Sequence, residues 1–169
     1  RVTGKETIEV VEQVLIEFNQ EIVEALKKQT CNSETINSKI NNIISVIKEN
    51  DELGFVGTPT KIDQSIIDKI VNDKKVPVIA PLGLDENNQT YNINADTAAG
   101  YIAKKIKARR LIIMSDVEGV LDNNQKLIPE INSTSIKELI ENETITGGMI
   151  PKINNCLDVA SNGVKGVVI

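Results

Sequence analysis

Behind Thr3-Gly4-Lys5-Glu6, which has the Thr-x-x-Glu form of a capping box, the apolar residues Ile8, Val11, Val14, Leu15 and Phe18 recur at helical spacing. This pattern predicts an amphipathic helix that Asn19 interrupts, followed by a second short helix over 21–28 with Ile22, Val23 and Leu26 inside. The apolar face of the first helix is broad enough to pack entirely on a sheet or partly on a second subunit. Further on, Ile43-Ile44-Ser45-Val46-Ile47 is a β-branched run that predicts a strand, and 63–71 predicts a helix. Residues 76–80 read as a buried strand whose Pro77 favours its beginning. A turn over 85–89 introduces an extended piece at 90–93, and 96–107 is helical with Ala98, Ala99, Ile102, Ala103 and Ile106 inward. A second buried strand follows at 111–114, then helices over 135–140 and 149–160 and a closing strand over 164–169.

Continuously apolar strands alternating with helices imply an α/β fold: a mainly parallel central sheet covered on both faces, a three-layer αβα sandwich. No repeat, linker or low-complexity stretch marks a boundary, so a single domain over 1–169 is expected. Hydrophobic content of 40% and charged content of 25% are near globular averages, which argues against disorder. Aromatic residues make up only 2% and the net charge is −5, so neither a base-stacking platform nor a phosphate-backbone surface is indicated, and no nucleic-acid partner is expected. No apolar run approaches bilayer length, so no membrane partner is expected either. Cys31 and Cys156 lack metal-ligand or redox spacing and suit free thiols of a cytoplasmic protein. Histidine is absent, which leaves Lys, Asp, Asn, Arg and the backbone to carry any chemistry.

Three segments concentrate that chemistry. Tyr91-Asn92-Ile93-Asn94-Ala95-Asp96 sets two amides and a carboxylate at alternating positions at the start of an apolar helix, where free N–H groups attract anions. Thr144-Ile145-Thr146-Gly147-Gly148-Met149-Ile150-Pro151-Lys152 combines adjacent glycines, which permit close backbone approach, with a lysine in the first turn of the next helix. Ser115-Asp116-Val117-Glu118-Gly119-Val120-Leu121 follows a buried strand, the place where open α/β sheets bind ligands. Each has a plainer explanation: Asp96 as a helix cap with the asparagines as turn residues, Lys152 as a solvated lysine, Asp116 and Glu118 as turn residues. The basic cluster over 104–110 is given to the helix dipole, which favours cations in a last turn. No Walker-type glycine-lysine-serine loop is present.

Together the three segments resemble the acetylglutamate kinases of the amino-acid kinase superfamily, in order and spacing as well as in letters. The likeness extends to Arg1-Val2-Thr3, Leu53-Gly54-Phe55-Val56-Gly57, Pro77-Val78-Ile79-Ala80-Pro81 and the stretch from Gly163 to Ile169. It implies the amino-acid kinase fold and ATP-dependent phosphorylation of the γ-carboxylate of N-acetyl-L-glutamate in arginine biosynthesis. The implied ligands are ATP, with Mg²⁺ bound through its phosphates and no metal-ligating residues, and N-acetyl-L-glutamate. In site terms it implies catalytic Lys152 and Asp96, with Asp96 organising lysine ammonium groups. Arg1, Asn92 and Asn94 would bind substrate, and Ser115, Asp116, Val117, Glu118, Gly119, Val120, Leu121, Thr144, Ile145, Thr146 and Met149 the nucleotide. In the resembled family a helix in the position of the first one here builds a dimer interface, which implies a homodimer or higher homo-oligomer. The family's Gly-rich phosphate loop with its lysine precedes the segment matched by Arg1, and a final hairpin and helix follow the one matched by Ile169, so truncation at both ends is expected. Thr35 to Ile40 replaces a glycine-containing turn of the family and removes easy access to positive φ. The rival expectations are a glutamate 5-kinase, a uridylate kinase, or a binding module without turnover.

Overall fold

The computed structural model describes residues 2–115, 117–122 and 124–169. In chain order the elements are α1 (Lys5–Lys28), β1 (Ser33–Ile36), β2 (Ile44–Lys48), β3 (Gly57–Ile62), α2 (Gln64–Asn72), β4 (Val76–Ile79), β5 (Leu82–Leu84) and β6 (Thr90–Asn92). After these come α3 (Ala95–Lys105), β7 (Leu111–Ile112), α4 (Ser133–Glu141), α5 (Met149–Ser161) and β8 (Val167–Val168). The fold is α/β. Parallel pairing joins β1 to β4, β2 to β5 and β7 to β8, while β2–β3 and β5–β6 are antiparallel. The strands form three separate sheets among the described residues, the largest in the order β3-β2-β5-β6. The chain divides into two compact units, Arg1–Ala98 and Ala99–Ile169.

In the first unit, α1 packs against β1, β4 and β6. It is one continuous helix of 24 residues, not two. Asn19 does not break it because its side chain turns inward, 3% exposed, and its Nδ2 donates to the Val78 carbonyl at 2.9 Å. The buried face runs through Ile8, Asn19 and Val23, whereas Val10, Val14 and Phe18 form an outward stripe at i, i+4, i+8, exposed by 61%, 54% and 56%. The expected capping box is also absent: Gly4 is the N-cap, with no side-chain cap bond. Thr3 is instead drawn into pairing with the loop ahead of β3, its N–H donating to Leu53 O at 2.9 Å and its carbonyl accepting from Phe55 N at 2.8 Å. Tertiary pairing thus overrides the local cap.

Residues 33–36 form β1, which takes in the first two residues of the turn expected over 35–40. In β4, Val76 and Ala80 donate to Asn32 and Ile36 carbonyls, which sets Pro77 at a position where no ladder N–H is needed. The turn after β1 is built by Asn37, whose Oδ1 accepts from the backbone N–H groups of Lys39 and Ile40, both at 2.9 Å. Positive φ falls on Asn41, at 55°, and not on Thr35 or Ser38, so the chain makes this turn without glycine. Helix α2 begins at Asp63, which caps Ser65 N at 3.1 Å. The β5–β6 hairpin is closed by Asp85, which accepts from Asn87 N and Gln89 N.

In the second unit the strands are shorter than the apolar runs suggested. β7 and β8 hold two residues each, joined by Leu111 N to Gly166 O and continued by Ile113 N to Val168 O, and Met114 is 91% exposed. Its core lies in two clusters, one of Val120, Ile136, Ile145 and Ile153, the other of Ala103, Val159 and Val164. Helix α4 starts in a capping box formed by Asn132 and Ser135. Within the basic cluster, Lys104 pairs with Asp158 of α5, and Lys104 and Lys105 lie over the Tyr101 ring at 5.8 and 5.2 Å. These two cations are therefore spoken for by the chain itself.

Candidate functional site

The first unit brings polar side chains together at the junction of β6 and α3. β6 is held on one side by the β5 hairpin and at its end by Asn92 N, which donates to Phe55 O at 2.9 Å. This bond places the loop around Gly54 and Phe55 beside Asn92, with the Phe55 and Tyr91 rings 5.7 Å apart. The Asn92 side chain is half-buried, yet its amide makes no hydrogen bond with the described residues. An amide offering two donors and an acceptor at such a position is suited to a ligand. Asn94 is different: its Oδ1 accepts from Thr97 N at 3.0 Å and Thr97 Oγ1 at 3.3 Å, making it the cap of α3. Asp96 sits half-buried in the first turn of α3, two positions after that cap. Arg1 lies outside the described residues.

The second unit supplies a cleft of about 380 Å³, lined in part by Gly119, Val120, Leu121, Thr144, Thr146 and Met149. Two segments about 25 residues apart in sequence, singled out independently, thus face one cavity of ligand size. Ile145 does not offer its side chain there: it is 1% exposed and locked in the core with Val120, Ile136 and Ile153. Glu118 lines a neighbouring cavity of about 680 Å³, Val117 and Ser115 are exposed, and Asp116 lies outside the described residues. Gly147 has φ 55°, which an L side chain adopts only at a cost, and a Cβ added at Gly147 or Gly148 would meet nothing within 4 Å. Close packing with the protein is not what those glycines serve; they keep the backbone bare to the space beyond. Lys152 follows in the first turn of α5, half-buried. Met149 N and Ile150 N already donate to the Thr146 and Gly147 carbonyls, so those two N–H groups are engaged within the chain.

The whole chain, residues 1–169, matches the amino acid kinase family. It belongs to that family. Among curated relatives of this amino acid kinase, acetylglutamate kinase of Pelagibacter ubique strain HTCC1062 is 66% identical over 169 residues, 100% of this chain and 59% of the relative. Acetylglutamate kinase of Campylobacter fetus subsp. fetus strain 82-40 is 45% identical, covering 97% of this chain and 59% of its own length. The chain therefore spans about 59% of the length of these relatives. Among solved structures, smu.665 of Streptococcus mutans UA159 superposes with a TM-score of 0.88 at 31% identity, covering 97% of this chain and 67% of that one.

A polar hub on α1 was not among the residues expected from the sequence. Glu12, on the inner side of α1, accepts at Oε1 from Ser38 Oγ and Thr90 Oγ1, both at 2.6 Å, with Lys39 Nζ at 3.2 Å. Partial burial pushes this carboxyl up, but the hydrogen bonds from Ser38, Thr90 and Lys39 outweigh it and hold the group below its ordinary value. The signal was present in the helical register: Ile8, Glu12, Asn19 and Val23 share a face, and two polar residues on a core-facing line need partners.

Proposed function

We propose that this chain carries the acceptor and nucleotide sites of an acetylglutamate kinase, which transfers the γ-phosphoryl of ATP to the γ-carboxylate of N-acetyl-L-glutamate in arginine biosynthesis in the cytoplasm. The observation that carries this is 66% identity, over a match that spans the full chain, to a protein of that name. The Asn92 amide, which has no hydrogen-bond partner among the described residues, supports an amino-acid acceptor at β6, with Arg1 and Asn94 on the same substrate. The cleft beside Thr144, Thr146 and Met149 supports the nucleotide, with Ser115, Asp116, Val117, Glu118 and Ile145 contributing from the same two segments, chiefly through backbone.

Phosphoryl transfer asks for alignment of two anions and neutralisation of charge spreading over the moving group. Lys152, beside bare glycine backbone, fits that task on the nucleotide side, and Asp96 fits the task of organising lysine ammonium groups by charge-assisted hydrogen bonds. Mg²⁺, carried on the phosphates, would supply further charge neutralisation. The exposed Val10, Val14 and Phe18 stripe of α1 supports self-association into a homodimer or larger homo-oligomer.

The test is acceptor choice. In a version extended to the length of its relatives, hydroxamate trapping should detect acyl phosphate with N-acetyl-L-glutamate and ATP, and little with glutamate; UMP should elicit no ADP release. Preference for glutamate or UMP would reassign the enzyme, and binding of both ligands without transfer would leave a binding module.

A further inference from the structure

The substrate strand β6 is held by the hub just described, and its arrangement carries a role. All three donors meet one carboxylate oxygen, Glu12 Oε1, and they come from two separate segments: Ser38 and Lys39 from the turn after β1, Thr90 from β6. Thr90 is fully buried, 5% exposed, and stands two positions before Asn92. On a strand, residues two apart point to the same face, so the hydroxyl that Glu12 grips and the amide offered to ligand lie on one side of β6. The backbone of Asn92 is held by the ladder to Leu82 of β5 and by its N–H donating to Phe55 O, which leaves the face of the strand to be set by side-chain contacts. Glu12 therefore sets the position of the strand face on which Asn92 sits, while touching no proposed ligand itself.

Resting on the reading of β6 as the acetylglutamate strand, we infer that Glu12 is a positioning residue for substrate affinity: it clamps Thr90 and the Ser38–Lys39 turn so that the Asn92 amide is presented in one orientation. A hydrogen-bond clamp and a charge clamp differ in what they need. The two short bonds from hydroxyls require only an acceptor oxygen, which an amide also offers, whereas the Lys39 contact requires the charge. Lys39 is largely exposed, its side chain 64% accessible, so its share is screened by solvent and the hydroxyl bonds carry the clamp.

The experiment is calorimetric titration of acetylglutamate and, separately, of a non-hydrolysable ATP analogue, on Glu12→Ala, Glu12→Gln, Asn92→Ala and the Glu12→Ala/Asn92→Ala pair, each in a version extended to the length of its relatives. Circular dichroism and the melting temperature report folding. Glu12→Ala should weaken acetylglutamate by roughly tenfold or more while the analogue changes by less than about twofold, and Glu12→Gln should restore most of the loss. In the Asn92→Ala background, Glu12→Ala should add less than about threefold, because both act on the same contact. Equal weakening of both ligands, full additivity with Asn92→Ala, or an unaltered acetylglutamate affinity in Glu12→Ala would overturn the inference. If Glu12→Ala does not fold, Glu12→Gln decides through the same split: retention of acetylglutamate affinity supports the clamp and a tenfold loss overturns it. An Asn92→Ala variant with unchanged acetylglutamate affinity would show instead that the substrate reading itself is wrong.

Discussion

The two units build their candidate sites by different means. In Arg1–Ala98 the candidate site is fixed by side chains: Asn94 caps α3, Glu12 gathers Ser38, Lys39 and Thr90, Asn37 shapes its turn and Asp85 closes the β5–β6 hairpin. In Ala99–Ile169 the cleft is lined by Gly119, Leu121, Thr144, Thr146 and Met149 together with Asp122 and Glu143, and its Val120 joins a core of Ile136, Ile145 and Ile153. The difference fits the ligands proposed for them. Selecting one amino acid among similar ones needs oriented hydrogen-bonding groups whose loss leaves partners unsatisfied. Accepting a nucleotide and the charge moving along its phosphates needs bare backbone and a cation.

The contrast breaks most visibly at Lys152. If it faces charge that develops during transfer, Lys152→Ala should lower kcat by roughly two orders of magnitude or more with little change in KM for either ligand. Steady-state kinetics on a version of relatives' length checks this, and near-normal kcat would remove Lys152 from the mechanism. Asn92→Ala should act on the other side: a lost hydrogen bond to a charged ligand is worth about 1.5–3 kcal/mol, so acetylglutamate affinity should fall by roughly ten- to a hundredfold with nucleotide affinity kept. Equal losses for both ligands would make the asparagine structural.

Glycines sharpen the comparison further. A Cβ at Gly57 would meet Tyr91 Cβ at 2.8 Å and Val46 Cβ at 3.1 Å, so Gly57→Ala should destabilise the first unit by about 1–3 kcal/mol, read as a lowered Tm. At Gly148 the same change meets nothing within 4 Å and should leave Tm nearly unchanged while weakening nucleotide binding. Intact nucleotide affinity in Gly148→Ala would take the glycines off the phosphate side.

The smallest expected effect is in acid. Because Glu12 is held below its ordinary value in the folded protein, it contributes stability that is present above the unfolded Glu pKa of about 4.3 and is lost as pH falls through the folded value. Glu12→Gln should therefore be less stable than the parent at neutral pH and converge with it at low pH. Denaturant titrations from pH 7 downward measure this, and a pH-independent difference would mean that the charge of Glu12 contributes nothing.

Helical periodicity made α2, α3, α4 and α5 legible within a few residues, because their apolar faces are single and their ends polar. Three strands were not legible for local reasons. β3 reads Gly57-Thr58-Pro59-Thr60-Lys61-Ile62, with little apolar alternation, and it exists because β2 pairs with it. β1 begins Ser33-Glu34-Thr35 and is fixed by β4, while β5 has only three residues. Asn19 looked like a break because an asparagine on a helix usually faces water; here the Val78 carbonyl satisfies it inside. The candidate residues Asn92 and Lys152 stand out by residue type and spacing, and so do the two loops, which the structure brings to one cleft. Glu12 was not, since its partners lie 26 and 78 positions away in sequence.

Hydrogen exchange resolved by segment, with each ligand added alone to this chain, tests the division of labour most directly. Acetylglutamate should slow exchange over 53–57 and 90–98 and leave 144–152 unchanged, and a non-hydrolysable ATP analogue should do the reverse, protecting 117–122 and 144–152. Protection of the same segments by both ligands, or of 144–152 by acetylglutamate, would contradict the assignment of the amino acid to β6 and of the nucleotide to the cleft beside Thr144.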